Sequence, residues 1–358
     1  MRAIATAVIG VGLALALAAS AGAKPGDIIV GDSTSAEVLR VKPKTGNTQL
    51  ISDDVRFVSP SDTVFGPNGM AYVVDYEAFD GGGGVFRVNP RNGNTSVVSD
   101  DPLFEQPDGI ALAPNGDLFV TDVTPTNGAL FRVELPSGDT TPVSSDPLFD
   151  DGPVGVVAPP TGDPFVADTN LVARVDPATG VATTVADEDQ GLMAGDGLAR
   201  APDGTLYMAD STEGVQAINP RTGNVTGVSG PVPYDGYGMA FDLKGRVLVM
   251  TGEDISAVNV RTGQVRGIAD GFAYAEGMEV EPPTCAGKTA TIVGTVRRDV
   301  IVGSRFGDVI ATLGGSDKVK GKGGRDLICT GDGRDKINGG PGRDRCKGGT
   351  GRDRERRC

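Results

Sequence analysis

"PDGIALAPNGDLFVTDVTPTNGALFRVELPSGDTTPVSS", residues Pro107 to Ser145, holds four short strand-like runs separated by turn signals. "PDGIALAP" leads into "GDLFVTD", "LFRV" follows, and "LPSGD" turns the chain into "TTPVSS". Runs of this kind, bounded by Gly, Pro, Asn and Asp, predict β-strands joined by tight turns.

The pattern recurs along the chain. Its second run ends at Asp32, Asp75, Asp122, Asp168, Asp210 and Thr251, in steps of 43, 47, 46, 42 and 41 residues. After each comes a third run and a turn: "RVKPKTGN", "RVNPRNGN", "RVELPSGD", "RVDPATGV", "AINPRTGN" and "AVNVRTGQ". Gly46, Gly93, Gly138, Gly180, Gly223 and Gly263 stand where those turns need a positive φ. Four short strands at this period describe one blade of a propeller, so six repeats predict six blades.

The two ends of the repeat interlock. Most units open on an x-Gly-apolar strand, as at Asp108, Val154, Asp196 and Tyr237, but the first lacks it and an orphan copy, "AEGMEVEPP", follows the sixth. The orphan is expected to complete the first blade, which leaves the ring without unpaired sheet edges.

Units of the form "PDGIALAPNGDLFVTD…LFRV…P(S/T)G" resemble the six-bladed propellers of the NHL-repeat and gluconolactonase-like superfamily, over roughly Gly26 to Pro283. That resemblance implies a fold; the same fold carries lyases, lactonases and pure binding modules. The chain contains no histidine, which excludes an imidazole base or a Ser-His pair and makes histidine-dyad lactonases and streptogramin-type lyases poor models. The propeller part has no cysteine nucleophile either. In gluconolactonase-like enzymes the channel metal is held by acidic or amide residues just before the glycine of the innermost strand. The matching residues are Ser61 (with Asp62 replacing the glycine), Asp108, Val154, Asp196, Tyr237 and Glu276. Glu276, Asp108 and Asp196 thus form a candidate carboxylate trio for Ca²⁺. The alternative is a turn in which each "PDG" aspartate bonds nearby backbone N–H groups. The strand-end aspartates recur in five of six units, which points to a shared structural task, accepting backbone bonds in the loop leaving the strand.

The chain opens "MRAIATAVIGVGLALALAASAGAKPG", with one Arg, a short apolar run and Ala21-Gly22-Ala23. Residues 1–23 read as a signal peptide cleaved near Ala23, too short to span a membrane, so the mature protein is expected to be secreted and extracellular. The next boundary falls near "EVEPPTC", giving a propeller over 24–283 and a tail over 284–358. From Cys285 onward there are 17 Lys and Arg against 9 Asp and Glu, a net of +8; the rest of the chain nets −22.

The tail has a shorter period. Asp299, Asp308, Asp317, Asp326, Asp335, Asp344 and Asp353 stand nine residues apart, in the register G-G-x-G-x-Asp-x-U-x with U large and apolar. This register resembles the RTX-type (haemolysin-type) parallel β-roll over Gly294 to about Arg356. Six residues turn and three form a strand, with Ile301, Ile310, Val319, Ile328 and Ile337 pointing inward. Glycines let carbonyls bend inward, and aspartates complete an all-oxygen cage for Ca²⁺. Two repeats make one coil, so the expected ligand pairs are Asp308 with Asp326, Asp317 with Asp335, Asp326 with Asp344, and Asp335 with Asp353. Arg298, Arg325, Arg334, Arg343 and Arg352 precede aspartates, which leaves open a metal-free roll held by Arg–Asp pairs. "GTVRRD" and "GSRFGD" lack most of the turn glycines.

All four cysteines, Cys285, Cys329, Cys346 and Cys358, lie in the tail and read as two disulfides made outside the cell. Of three possible pairings, Cys346 in a U position is expected to take Cys358, leaving Cys329 for Cys285. The absence of an aromatic platform beside the tail's positive charge argues against nucleic acid. The sequence thus predicts an all-β protein, a six-bladed β-propeller followed by a small parallel β-roll. Functionally it is a secreted calcium-binding protein whose propeller binds an extracellular ligand or small molecule, or alternatively a calcium-dependent hydrolase of lactonase type.

Overall fold

The computed structural model describes residues 24–80, 82–124, 129–149, 152–192, 195, 197–210, 213–232 and 238–358, so the leader expected over residues 1–23 lies outside the described residues. The opening unit folds as read: Pro107–Leu112, Leu118–Asp122, Ala129–Val133 and Thr140–Ser144 form one antiparallel sheet in chain order. Equivalent four-stranded sheets begin at Pro60, Pro153 and Leu198. Gly46, Gly93, Gly138, Gly180, Gly223 and Gly263 all adopt positive φ in the outer hairpins.

Blades one and six share a seven-stranded sheet because a single 16-residue strand, Val265–Val280, serves both. Its first half is the outer strand of blade six, paired with Gly252–Val258. Its second half is the inner strand of blade one, with Ile28 opposite Val280 and Val30 opposite Met278. The orphan strand of the sequence is this second half, and the ring closes through it. Asp32 reinforces the closure: its carboxylate accepts from the backbone N–H of Ala273 at 2.8 Å and of Tyr274 at 3.2 Å.

The core is a ring of six interfaces. One apolar cluster, for example, joins Val64, Val74 and Val85 of blade two to Ile110, Leu118 and Val120 of blade three. Each middle strand is covered by neighbouring blades on both faces, which is why runs such as "IIV" and "VLVM" do not alternate with polar residues. At the axis the inner strands come so close that side chains are excluded. A Cβ on Gly109 would lie 2.1 Å from the Val154 carbonyl, and one on Gly238 2.2 Å from that of Glu276.

The tail is a stack of short parallel strands. Ile292–Val293, Val309–Ala311, Leu327–Cys329 and Arg345–Lys347 form one sheet, and Val300–Val302, Lys318–Lys320, Lys336–Asn338 and Arg354–Arg356 the other. Partners along each sheet are eighteen residues apart, as Ile310 and Ile328 or Val319 and Ile337 show. Ile301, Ile310, Val319, Ile328 and Ile337 fill the interior, with Cys346 at the far end. Cys285 is joined to Cys329, and Cys346 to Cys358. These bridges close loops of 44 and 12 residues, each restricting the unfolded tail by a few kcal/mol, ~3 for a loop of this order. The first coil rests on the propeller, where the Val296 N–H donates to the Leu243 carbonyl at 2.9 Å.

Candidate metal centres

The roll's aspartates form two ladders of main-chain-to-carboxylate bonds. The N–H of Asp299 donates to Asp317 at 2.9 Å, that of Asp308 to Asp326 at 3.0 Å, and that of Asp317 to Asp335 at 2.8 Å. The N–H groups of Asp326 and Asp335 donate in the same way to Asp344 and Asp353, both at 3.0 Å. One carboxylate oxygen of each acceptor is therefore committed to the coil, and the fate of the other separates the repeats.

In the first two turns that other oxygen is satisfied by the protein. The Thr295 N–H donates to Oδ2 of Asp299 at 2.6 Å, and the Ser304 N–H to Oδ2 of Asp308 at 2.7 Å. The Ser304 hydroxyl adds a bond to Oδ1 of Asp308 at 2.9 Å, so both oxygens of Asp308 are occupied. Asp317 is intermediate, its Oδ2 held by the Thr312 hydroxyl. From Asp326 onward the arrangement changes. Oδ2 of Asp326, of Asp335 and of Asp344 is buried without a hydrogen-bond partner.

The backbone explains the switch. Thr295 and Ser304 have ordinary negative φ, which aims their N–H groups at the carboxylate. The equivalent Leu313, Lys322, Gly331, Gly340 and Gly349 all have positive φ, between 66° and 105°. Two residues further on, Gly333 at 153° and Gly342 at 151° extend the bend. An unpaired carboxylate oxygen buried beside bent backbone is costly unless a cation or proton meets it. Carboxylate and carbonyl oxygens are the donors Ca²⁺ prefers. The donor set fits the ion between turns 313–317 and 331–335, 322–326 and 340–344, and 331–335 and 349–353. At Asp308 the Ser304 N–H and hydroxyl, and at Asp317 the Thr312 hydroxyl and the Asp299 N–H, already bond both carboxylate oxygens. Burial pushes the carboxyls of Asp317 and Asp326 up to about 6, with the Thr312 hydroxyl and backbone N–H groups pulling the other way. Arg325, Arg334, Arg343 and Arg352 are exposed, and among the described residues they form no ion pair.

In the propeller, Asp108 and Glu276 line one cavity on the axis, together with Asp62, Val154, Gly197 and Gly238; its volume is about 60 Å³. Asp196 and Tyr237 lie outside the described residues, so the trio with Glu276 and Asp108 is described for two members. Among the described residues no three acidic, His or Cys side chains converge on a metal-sized point. Burial, helped by the Asp32 charge, pushes Glu276 up to about 7. Tyr76, which the sequence did not single out, is pushed up by burial and by the charges of Asp108 and Glu276 beside it.

Asp62 and Glu279 were also missed as functional candidates. Asp62 stands where other blades carry the axial glycine, and its carboxylate accepts from the Ile110 N–H at 3.2 Å, tying blade two to blade three. Burial raises Asp62 to about 7 and Glu279 to about 8. Both face a second cavity of about 340 Å³, walled by the inner strands of all six blades and closed by residues 290–294 and 300–302 of the tail. The roll thus sits over one mouth of the channel. The strand-end aspartates reach further than the departing loop. Asp75 accepts from Val58 and Ser59, and Asp122 from Glu105 and Gln106, in the loop entering the blade's innermost strand.

Residues 293–328 and 330–355 match the RTX calcium-binding nonapeptide repeat, in four copies. No curated protein sequence matches the chain. Among solved structures, a chain of a nidogen/laminin complex is similar over 71% of this chain and 98% of its own, at 13% identity and a TM-score of 0.59. A streptogramin B lyase is similar over 72% and 85%, at 13% identity and a TM-score of 0.54. TolB from Acinetobacter baumannii is similar over 72% and 67%, at 14% identity and the same TM-score of 0.54. These likenesses concern the fold. RTX nonapeptide repeats bind calcium ions, and this chain carries them in a parallel β-roll behind a six-bladed β-propeller.

Proposed function

We propose that this is an exported calcium-binding protein in which residues 1–23 are removed, residues 24–283 form an extracellular binding or scaffold module, and residues 284–358 order around calcium outside the cell. The observation that carries the reading is the set of buried, unpartnered Oδ2 atoms on Asp326, Asp335 and Asp344. In this reading three ions are held, by Asp317 with Asp335, Asp326 with Asp344, and Asp335 with Asp353. Each ion supplies the positive charge that the turns lack. The disulfides support an oxidising destination.

For the propeller, a binding role is favoured over lactone hydrolysis. The axial cavity bearing Asp108 and Glu276 measures about 60 Å³, far below the roughly 300 Å³ at which small-molecule pockets begin. The wider cavity, faced by Asp62 and Glu279 as well as by apolar inner-strand residues, has the tail residues 290–294 and 300–302 in its wall. The test is circular dichroism and calorimetry on the oxidised full chain, titrated with CaCl₂ against MgCl₂. Calcium should order the tail and bind at three sites, while Mg²⁺, which demands a tighter octahedral shell, should fail. A tail fully ordered in chelator and indifferent to calcium overturns the reading.

A further inference from the structure

The two sheets of the roll face solvent with different chemistry. On the sheet formed by Val300–Val302, Lys318–Lys320, Lys336–Asn338 and Arg354–Arg356, the central Ile301, Val319 and Ile337 point inward and their neighbours point out, while in the last strand all three residues are exposed. The register sets Lys318 against Lys336 against Arg354 in one row, and Lys320 against Asn338 against Arg356 in the other. All six are exposed, and among the described residues none of the five cations enters an ion pair. Like charges directly opposite on neighbouring strands destabilise a sheet. Among the described residues no ion pair to a carboxylate offsets that repulsion.

We propose that this face is a docking site for a linear anionic polysaccharide, whose carboxylate or sulfate groups lie along the cationic rows. Three features favour such an occupant. Its rows are regularly spaced, about 4.8 Å from strand to strand, so that anionic groups carried at regular intervals along a linear chain can meet successive cations. It carries no aromatic side chain on which a base would stack, and duplex phosphates wind around a helix axis and do not run along a straight row. The cations also begin one coil away from the propeller, because the row nearest it is Val300 and Val302. Each further coil adds about 4.8 Å, so the later rows, at Lys336 and Arg354, lie more than the roughly 8 Å screening length beyond the strand nearest the propeller.

The proposal rests on the calcium reading in one respect. The rows are in register only when the coils are stacked, and the turns joining them hold the unpartnered carboxylates. Calcium and polysaccharide should therefore favour each other's binding.

The test uses the oxidised full chain, with a heparin oligosaccharide as the sulfated probe, neutral dextran as control and duplex DNA as a second arm. Binding is followed by calorimetry in calcium and in chelator, with circular dichroism reporting tail order independently. Heparin should bind in calcium, weaken with added salt and weaken in chelator, while dextran should not bind. The triple substitution Lys318→Gln, Lys336→Gln, Arg354→Gln should lower affinity about tenfold or more while leaving calcium-induced order intact. Arg325→Gln with Arg343→Gln, off this face, should change little.

Calcium-induced order without heparin binding, or binding that survives the triple substitution, overturns the ladder and spares the calcium reading. Heparin binding that is lost in the triple variant but indifferent to calcium supports the ladder and overturns the coupling. DNA binding as tight as heparin binding overturns the polysaccharide assignment. Salt-sensitive self-association in light scattering, abolished by the triple substitution, would assign the face instead to the acidic propeller of a second copy.

Discussion

The main-chain N–H of Asp317 donates to Oδ1 of Asp335, 2.8 Å away and one full coil further along the chain. Asp335 repeats the gesture, its own N–H donating to Asp353. Asp335 is thus a rung shared by two successive turns, and each proposed ion on its side of the roll needs it. Asp335→Asn should remove two of three calcium ions in calorimetry of the full chain. Asp308→Asn, where Ser304 already occupies the carboxylate, should leave the count at three. Equal losses in the two variants would refute the division between self-satisfied and metal-dependent turns.

The pH dependence of the metal-free roll follows from Asp317 and Asp326, which titrate near 6 in the fold. An exposed aspartate titrates near 3.9, so between these values the folded roll binds more protons than the unfolded chain. Its stability is then highest at low pH and is lost as pH rises through about 6. In chelator the tail should melt higher near pH 4.5 than near pH 7.5, and saturating calcium, which needs ionised ligands, should reverse the order. Melting followed by circular dichroism checks both halves.

Ser304→Ala should destabilise the first coils by about 1–2 kcal/mol, since it strips a hydroxyl donor from the buried Asp308 carboxylate. Calcium should not restore the loss. Full rescue by calcium in a thermal melt would show that this turn accepts an ion once the serine is gone.

Asp32→Ala should weaken ring closure. It leaves the N–H groups of Ser35, Ala273 and Tyr274 without their acceptor, at about 1–3 kcal/mol for each that stays dry. The exposed Asp53→Ala serves as control. Hydrogen exchange should localise the effect to residues 28–32 and 273–280. An unchanged melt for Asp32→Ala would remove the clasp.

Glu276→Gln should leave calcium stoichiometry unaltered and stabilise the propeller at alkaline pH. The folded carboxyl titrates near 7, above its value in the unfolded chain, so above pH 7 the wild type carries a charge its site disfavours. Gln removes that penalty, and the two proteins should converge below about pH 5. Loss of a calcium ion in the variant would instead reveal a metal on the axis.

Much of this was legible in residue order because repeats expose their own geometry. "GDLFVTD" and its copies mark the middle strands through their apolar runs, and the orphan "GMEVE" announces the closing strand because the first unit visibly lacks one. The roll's inward isoleucines and its eighteen-residue pairing follow from a nine-residue period. What stayed hidden depends on where repeats meet. Asp62 looked like a missing glycine, yet its carboxylate bridges to Ile110 in the next blade. Thr295 and Ser304 could be seen to replace turn glycines, but only the folded turn brings their N–H groups onto the carboxylates. The seat of the roll over the channel rests on contacts such as Val296 with Leu243, for which no local pattern codes.

The strand Val265–Val280 runs directly toward the tail, through Pro282 and Pro283 to Cys285. Tension on an anchored tail would therefore travel along the axis of the strand that closes the ring. Its five register pairs with Ile28–Asp32 would be loaded together, in shear, and not opened one at a time like a zip. The keystone of the ring is also its tether, and the protein would meet a mechanical pull along the direction in which that seam is strongest.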